Sequence, residues 1–225
     1  MSKRSKGSIG EHKVISLLSS SIMQYHHLLN DITLSEGEDS FTHQIDHILI
    51  HPHGVFLIET KNYKGTVLYD EDESGWYIKS KSKTVRIASP LRQNKGHLKA
   101  LKKILGKDTP IIPVVTFSSN NAPYAGDENV INLDDLVLFI ESYPYQRLLS
   151  NDEIDMLASV IERHQSDIPL REHIDNIKII KTIRKESQAE ITYALEQGHC
   201  PRCNGKMISV GYRYHCSRCQ FGFTL

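Results

Sequence analysis

Cysteine is absent from the first 199 residues of this 225-residue chain; all four cysteines fall in the last 26. A disulfide framework for the bulk of the protein is thereby excluded, and the fold must rest on a core. No run of about 18 apolar residues occurs, so no membrane-spanning helix is expected. The basic start, Met1-Ser2-Lys3-Arg4-Ser5-Lys6-Gly7, lacks the apolar stretch of a secretory leader, so a reducing, cytoplasmic location with no membrane partner is expected. Net charge is also missing: 27 basic residues balance 27 acidic ones, so total charge gives no argument for nucleic acid.

The charge is nevertheless segregated. Lys79, Lys81, Lys83, Arg86, Arg92, Lys95, Lys99, Lys102, Lys103 and Lys107 form one stretch without an acidic residue, whereas Asp70-Glu71-Asp72-Glu73 and Asp134-Asp135 gather the opposite sign. Such a stretch could neutralise phosphates, with Lys95 and Lys99 as candidate contacts, or could be a solvated face. With 39% hydrophobic and 24% charged residues, the chain suits one medium α/β domain plus a small accessory module.

Hydrophobic periodicity sets the expected order. Ser8-x-x-Glu11 reads as a capping box opening a first helix, with Val14, Leu17 and Leu18 as its apolar stripe. A loop containing Asp31 and Glu36 to Asp39 is expected next. Gln44–Ile50 and Val55–Lys61 read as central strands joined by a turn at His51-Pro52-His53-Gly54. Thr66–Tyr69 and Trp76–Lys79 suggest a second hairpin. A helix over Pro90–Leu105 has Ser89 as N-cap, Gly106 as its stop, and Leu91, Leu98, Leu101 and Leu105 as its buried side. Strands at Ile111–Phe117 and Asn129–Leu133, a helix from Asp134 to Ser142 capped by Asp134, and a helix opened by the Ser150/Glu153 capping box complete the core pattern. Residues 171–197 read as a connecting helix.

The informative residues are Gln44, Asp46, Glu59 and Lys61. If the hairpin closes symmetrically about Pro52 and His53, Asp46 opposes Glu59 and Gln44 opposes Lys61. Strand alternation then puts all four on one face, with opposed Cβ atoms about 5 Å apart. Two carboxylates in an apolar sheet repel each other and resist desolvation, and a hard divalent cation such as Mg²⁺ or Mn²⁺ relieves both problems. Lys61 could hold an attacking water or neutralise phosphoryl charge, and Gln44 could orient that water. The plain alternative is a cross-strand ion network with Lys61 as counter-ion. His47 alternates away from Asp46 and is left out of the site.

The stretch Gln44-Ile45-Asp46-His47-Ile48-Leu49, followed by Glu59-Thr60-Lys61-Asn62-Tyr63-x-Gly65, resembles the nuclease-related domain of the PD-(D/E)XK nuclease superfamily. Gly7-x-x-Gly10-Glu11 resembles the start of that domain and Pro90-Leu91-x-Gln93 a later motif, over roughly residues 5 to 120. Ile45 stands where the superfamily name has proline. The resemblance implies a restriction-endonuclease-like core, a mixed central sheet flanked by helices. It further implies that Asp46, Glu59 and Glu11 are metal ligands and Lys61 the catalytic lysine. On residue grounds alone, Glu11 could equally serve the capping box, and Gln93 could touch substrate or be a polar neighbour of the core.

Cys200-Pro201-Arg202-Cys203 and Cys216-Ser217-Arg218-Cys219 enclose twelve residues. Two such knuckles fit a tetrahedral Cys₄ zinc site, closed and therefore structural. So short a module cannot fold on its apolar contacts alone, and the metal makes up the difference. The segment resembles the zinc ribbons at the C-termini of bacterial type I topoisomerases. Arg202, Arg213, Tyr214 and Arg218 are its candidate nucleic-acid contacts, against the alternative that they pack and solubilise the ribbon.

The expectation is an α/β protein divided as a nuclease core at 5–125, the remainder of that domain at 126–168, a connecting helix at 169–198 and a zinc ribbon at 199–225. Its expected function is Mg²⁺-dependent endonuclease action on DNA, with RNA as a second substrate candidate. The rivals are a non-catalytic nucleic-acid-binding or adaptor protein that keeps the fold, and a protein-interaction ribbon tethered to a structural domain.

Overall fold

In the computed structural model, the residues described are 6–35, 42–70, 75–123, 128–145 and 147–166, together with 189, 193, 196–200, 203–210, 213–218 and 222–224. Two units divide the chain, Met1–Ile168 and Pro169–Leu225.

The first unit is a five-stranded mixed sheet in the order β1-β2-β3-β7-β8, with helices on both faces. Its strands are β1 (His27–Ser35), β2 (Thr42–His51), β3 (Gly54–Lys61), β7 (Ile111–Phe117) and β8 (Val130–Asn132). β1, β2 and β3 are antiparallel neighbours, while β3, β7 and β8 run parallel. Between β3 and β7 the chain makes a separate three-stranded sheet, β4 (Thr66–Asp70), β5 (Gly75–Lys79) and β6 (Thr84–Ile87), before helix α2 (Pro90–Leu105) returns it to the main sheet. Trp76 of β5 stacks on Phe117 of β7, ring centroids 6.2 Å apart, and joins the small sheet to the main one.

The helices divide the faces. α2 and α4 (Asn151–Arg163) cover one side through Leu101, Ile154, Leu157 and Ile161, which meet Ile48, Ile50, Val55 and Leu57. α1 (Lys6–Ser21) and α3 (Leu136–Ser142) cover the other, where Val14, Leu18, Leu136 and Ile140 meet Leu49, Phe56, Ile58 and Val114. Both faces of β2 and β3 are therefore buried, which explains their unbroken apolar runs. Pro113 is tolerated inside β7 for a reason set by register. Val115 donates its N–H to Asn129 O on the β8 side, so residue 113 faces that side too, ahead of where β8 begins.

Several local expectations differ from what forms. The loop expected around Asp31 is strand β1, whose mixed sequence hides it. The second hairpin has a third strand, β6, too short and exposed to read. Ser8 lies inside α1, which begins at Lys6, so the Ser8–Glu11 pair is not the helix start. Asp134 does not cap α3; it sits in a 3₁₀ turn (Leu133–Asp135) and accepts from Asn120 Nδ2 at 2.7 Å. The buried side of α2 is formed by Pro90, Asn94, His97, Ala100 and Leu101, with Leu91, Leu98 and Leu105 only half-buried. The Ser89 cap, the stop at Gly106 and the Ser150/Glu153 capping box form as expected.

The second unit contains an antiparallel sheet, β9 (Met207–Val210), β10 (Arg213–Cys216) and β11 (Gly222–Thr224), with β10 in the centre. The connecting helix expected over residues 171–197 falls almost wholly outside the described residues, as do Arg202 and Cys219. Among the described residues no helix is long and apolar enough to cross a membrane.

Candidate functional site

The β2–β3 hairpin closes about Pro52 and His53 in the anticipated register, with His51 opposite Gly54, Ile50 opposite Val55 and Ile48 opposite Leu57. The backbone ladder stops at His47–Ile58, one residue short of Asp46 and Glu59. There the Asp46 side chain takes over, and its Oδ2 accepts the Thr60 N–H at 2.7 Å. Alternation also slips at this point. Ile45, Ile48 and Ile50 contribute to the same core face, as do Leu29, Ile32 and Leu34 of β1. The slip in β1 spans Asp31, whose φ of 54° is left-handed in the middle of a strand. Gln44 is consequently not opposed to Lys61. Its Nε2 donates to Asp31 Oδ1 at 2.6 Å.

Glu59 and Lys61, two residues apart on β3, point to the α2 side. Lys61 Nζ donates to Glu59 Oε1 at 2.6 Å and to Gln93 Oε1 at 3.0 Å. The Glu59 side chain is 2% exposed and that of Lys61 15%. His97 Nε2 lies 3.4 Å from Glu59 Oε2, longer than a well-formed hydrogen bond. Glu59 Oε2 thus ends buried and without an ideal partner. His47, left out of the site on sequence grounds, is buried and pairs through Nδ1 with Asn30 Oδ1 at 2.7 Å; burial holds its imidazole down at about 4.

Glu11 reaches the same neighbourhood from α1. The helix approaches the sheet closely at Gly10, where an added Cβ would lie 2.8 Å from Asn62 Cβ and 2.9 Å from Ser118 Oγ. Gly10 in the Gly7-x-x-Gly10-Glu11 stretch thus has a steric reason, since a side chain there would push the following glutamate away. Lys13, one turn on, donates to Ser118 O at 3.0 Å and ties the helix to the end of β7.

The carboxyls titrate apart. Burial, then the charge of Glu59, pushes Asp46 up to about 7. Burial also acts upward on Glu59, but the polar contact with His97 and the charge and hydrogen bond of Lys61 outweigh it and leave this carboxyl below its ordinary value. Burial acts downward on the Lys61 amine, and Glu59 outweighs it, raising Lys61 above its ordinary value. Burial raises Glu11, followed by the charges of Asp31 and Glu59. Glu11, Asp31, Asp46 and Glu59 therefore share one electrostatic neighbourhood, in which the half-buried ammonium of Lys61 is paired to Glu59, an arrangement that suits a further cation.

Residues 6–118 match the sequence pattern of the nuclease-related domain. The chain belongs to the nuclease-related domain family. A protein of Bacillus anthracis described as uncharacterized is 31% identical over 163 residues, covering 70% of this chain and 76% of that protein. No solved structure matches the chain significantly. Within the nuclease-related domain, Glu11, Asp46, Glu59 and Lys61 gather at one end of the sheet, with Gln93 against Lys61. Lys95 and Lys99 stand exposed on α2. Asp31, which accepts from Gln44, and His97, which faces Glu59, also stand in this neighbourhood, outside the motifs. The spacing of His97, one helical turn beyond Gln93, was the available signal; nothing in the sequence marked Asp31.

A group of side chains that could hold a metal ion lies in the C-terminal unit. The sulfurs of Cys200, Cys203 and Cys216 all lie within 4.8 Å of one another, and Cys203 and Cys216 are 3.5 Å apart. That is far beyond a disulfide bond, and near the ~3.8 Å between sulfurs around a tetrahedral zinc. Asn204, at a left-handed φ of 57°, turns the first knuckle, and Asn204 N–H donates to Cys200 O at 2.8 Å. A Cβ on Gly205 would lie 3.1 Å from Cys216 Sγ and 3.3 Å from Cys203 Sγ, so glycine lets the backbone press against the sulfurs. Arg218 N–H donates to Cys216 Sγ at 3.3 Å, the contact that stabilises a thiolate. This three-cysteine cluster is compatible with a zinc ribbon. The Arg218 side chain is exposed, while Arg213 and Tyr214 are described only in backbone, on β10.

Proposed function

We propose that this protein is a divalent-cation-dependent nuclease that hydrolyses phosphodiester bonds of DNA, with its C-terminal ribbon assisting nucleic-acid binding. The observation that carries the reading is the convergence of Asp46, Glu59 and Lys61 at the point where the β2–β3 ladder opens. An ion network serving stability alone would leave the charges matched. Here Asp46 is forced up to about 7 by burial and by Glu59, and Glu59 Oε2 is buried without an ideal partner. Hard carboxylate oxygens in this state fit Mg²⁺ or Mn²⁺.

In this reading Asp46, Glu59 and Glu11 hold the cation, which when bound supplies an activated water and charge compensation at the phosphoryl oxygens. Thr60 N–H fixes the Asp46 carboxylate by holding Oδ2. Lys61, released from Glu59, carries its ammonium to the attacking water or to the phosphate oxygens. Gln93 steadies that ammonium from α2 during the exchange. Gln44 acts indirectly, through Asp31. Lys95 and Lys99 on α2, with Arg202, Arg213, Tyr214 and Arg218 of the ribbon, are proposed contacts to backbone and bases. Cys219 is proposed as the fourth ligand that completes a structural zinc site.

The test is a panel of linear, circular, single-stranded and branched DNA, plus RNA, incubated with zinc-loaded protein with and without Mg²⁺ or Mn²⁺. Cation-dependent cleavage of at least one DNA substrate is expected. Salt-sensitive binding with no cleavage anywhere in the panel would instead identify a binding protein that keeps the fold.

A further inference from the structure

Helix α2 meets the acid–amine pair at two points. Gln93 Oε1 accepts from Lys61 Nζ at 3.0 Å, and His97 Nε2 lies 3.4 Å from Glu59 Oε2. The spacings match. Residues two apart on a strand are about 6.7 Å apart, and residues four apart on a helix advance about 6 Å. The chain sense is reversed, with the earlier helix residue on the later strand residue, as it must be when a crossover helix runs back along the strand it follows. Between the two contacts, Asn94 is 2% exposed and its Nδ2 donates to Leu57 O at 3.2 Å and Val114 O at 2.9 Å, pinning the helix over the seam between β3 and β7.

His97 is 7% exposed, and neither ring nitrogen has an ideal hydrogen bond among the described residues. Packing does not call for imidazole here. The next buried positions of α2, Ala100 and Leu101, are apolar, and among the described residues the ring beside His97 is His43, edge-on at 5.5 Å. The polar feature that accounts for a buried histidine at this turn is the carboxylate it faces. Lys61 Nζ holds Oε1 by a hydrogen bond and His97 Nε2 faces Oε2 at 3.4 Å, so the two oxygens of Glu59 have different neighbours, one on each side.

We infer that His97 is a positioning residue that fixes the Glu59 carboxylate for cation binding. The inference rests on the reading of Asp46 and Glu59 as cation ligands. It assigns α2 a paired role, with Gln93 setting the lysine and His97 setting the glutamate.

The experiment is direct Mn²⁺ binding, read from the free-Mn²⁺ electron paramagnetic resonance signal on the full zinc-loaded chain, with no turnover involved. His97→Leu keeps bulk and removes the donor, His97→Asn keeps an amide on an arm too short to reach, and His97→Gln keeps a donor within reach. Asp46→Ala sets the baseline, and thermal melts accompany every variant. Mn²⁺ affinity is expected to fall roughly 10- to 100-fold in His97→Leu and His97→Asn, and to recover largely in His97→Gln. Wild-type affinity in either disrupted variant, whatever its melting temperature, would overturn the inference. Wild-type protein binding no more Mn²⁺ than Asp46→Ala would overturn the underlying reading of the acid pair instead, and the inference with it.

Discussion

The cysteine cluster and the carboxylate site solve different problems with different donors. Cys200, Cys203 and Cys216 are like donors drawn within 4.8 Å of one another, on knuckles whose backbone presses against the sulfurs. The carboxylates of Glu11, Asp46 and Glu59 are not drawn together so tightly, since the cysteines are the cluster meeting that distance among the described residues. They arrive on three elements, titrate apart, and one of them already carries the protein's own cation, Lys61. A site that only has to hold a fold closes around its ion. In the proposed function the carboxylate site would have to admit a cation, a water and a phosphate, which suits an open site with an internal charge that can be exchanged.

The largest effect that would break this comparison is metal removal. Stripping the ribbon with a strong chelator is expected to unfold the C-terminal unit outright, read as collapse of its amide dispersion by NMR, while resonances of the first unit stay in place. Survival of the β9–β10–β11 resonances without metal would mean the cysteines are not structural ligands. Next comes Lys61→Ala, expected to reduce cation-dependent cleavage by at least about 10²- to 10³-fold, as loss of a group that stabilises developing charge does. Melting temperature should also fall, since Glu59 is left buried without its ammonium, so cleavage is compared at a temperature where the variant remains folded; a folded Lys61→Ala protein that cleaves normally would leave the lysine a mere counter-ion.

A smaller effect is expected at Gly10. Alanine there must displace Asn62 or Ser118, at a cost of about 1–3 kcal/mol read by urea unfolding, and should weaken cation binding by shifting Glu11. Unchanged stability would show that α1 can move freely, and that the glycine serves some other end. The finest test is pH. Because the folded carboxyl of Asp46 is raised to about 7, its protonated form contributes stability below pH 4 that is lost as pH rises toward 7. Asp46→Asn should therefore stabilise the cation-free protein at pH 8, on the order of 5 °C in melting temperature after discounting for residual solvent contact, with the gain vanishing near pH 4. A pH-independent difference would show that burial and Glu59 do not burden this carboxyl.

Much of the site was legible because β2 and β3 are buried on both faces and joined by a short turn, which leaves one sensible register. From that register the approach of Asp46 to the Glu59–Thr60 end of β3 follows by counting. Counting fails where the regular ladder fails. The slip in alternation at Asp31 and Asp46 turns Gln44 away from Lys61, and periodicity cannot reveal a left-handed residue inside a strand. β1 was hidden for the same reason, since Asn30-Asp31 interrupts its apolar pattern. His97 was visible as a polar residue one turn beyond Gln93, but only the packing of α2 on β3 shows which carboxylate it faces. In the ribbon the reverse holds: the Cys-x-x-Cys spacing is the legible feature, and Cys200, Cys203 and Cys216 come together as that spacing suggests.

The most direct measurement is a double-mutant cycle on single-turnover DNA cleavage in Mg²⁺, using Asp46→Asn, Glu59→Gln and the two combined. If both carboxylates hold one cation at one reacting phosphate, each single variant removes nearly all activity and the combined variant is no worse than either. Losses that multiply, or substantial activity in any of the three, would contradict the claim that these side chains act at a single point.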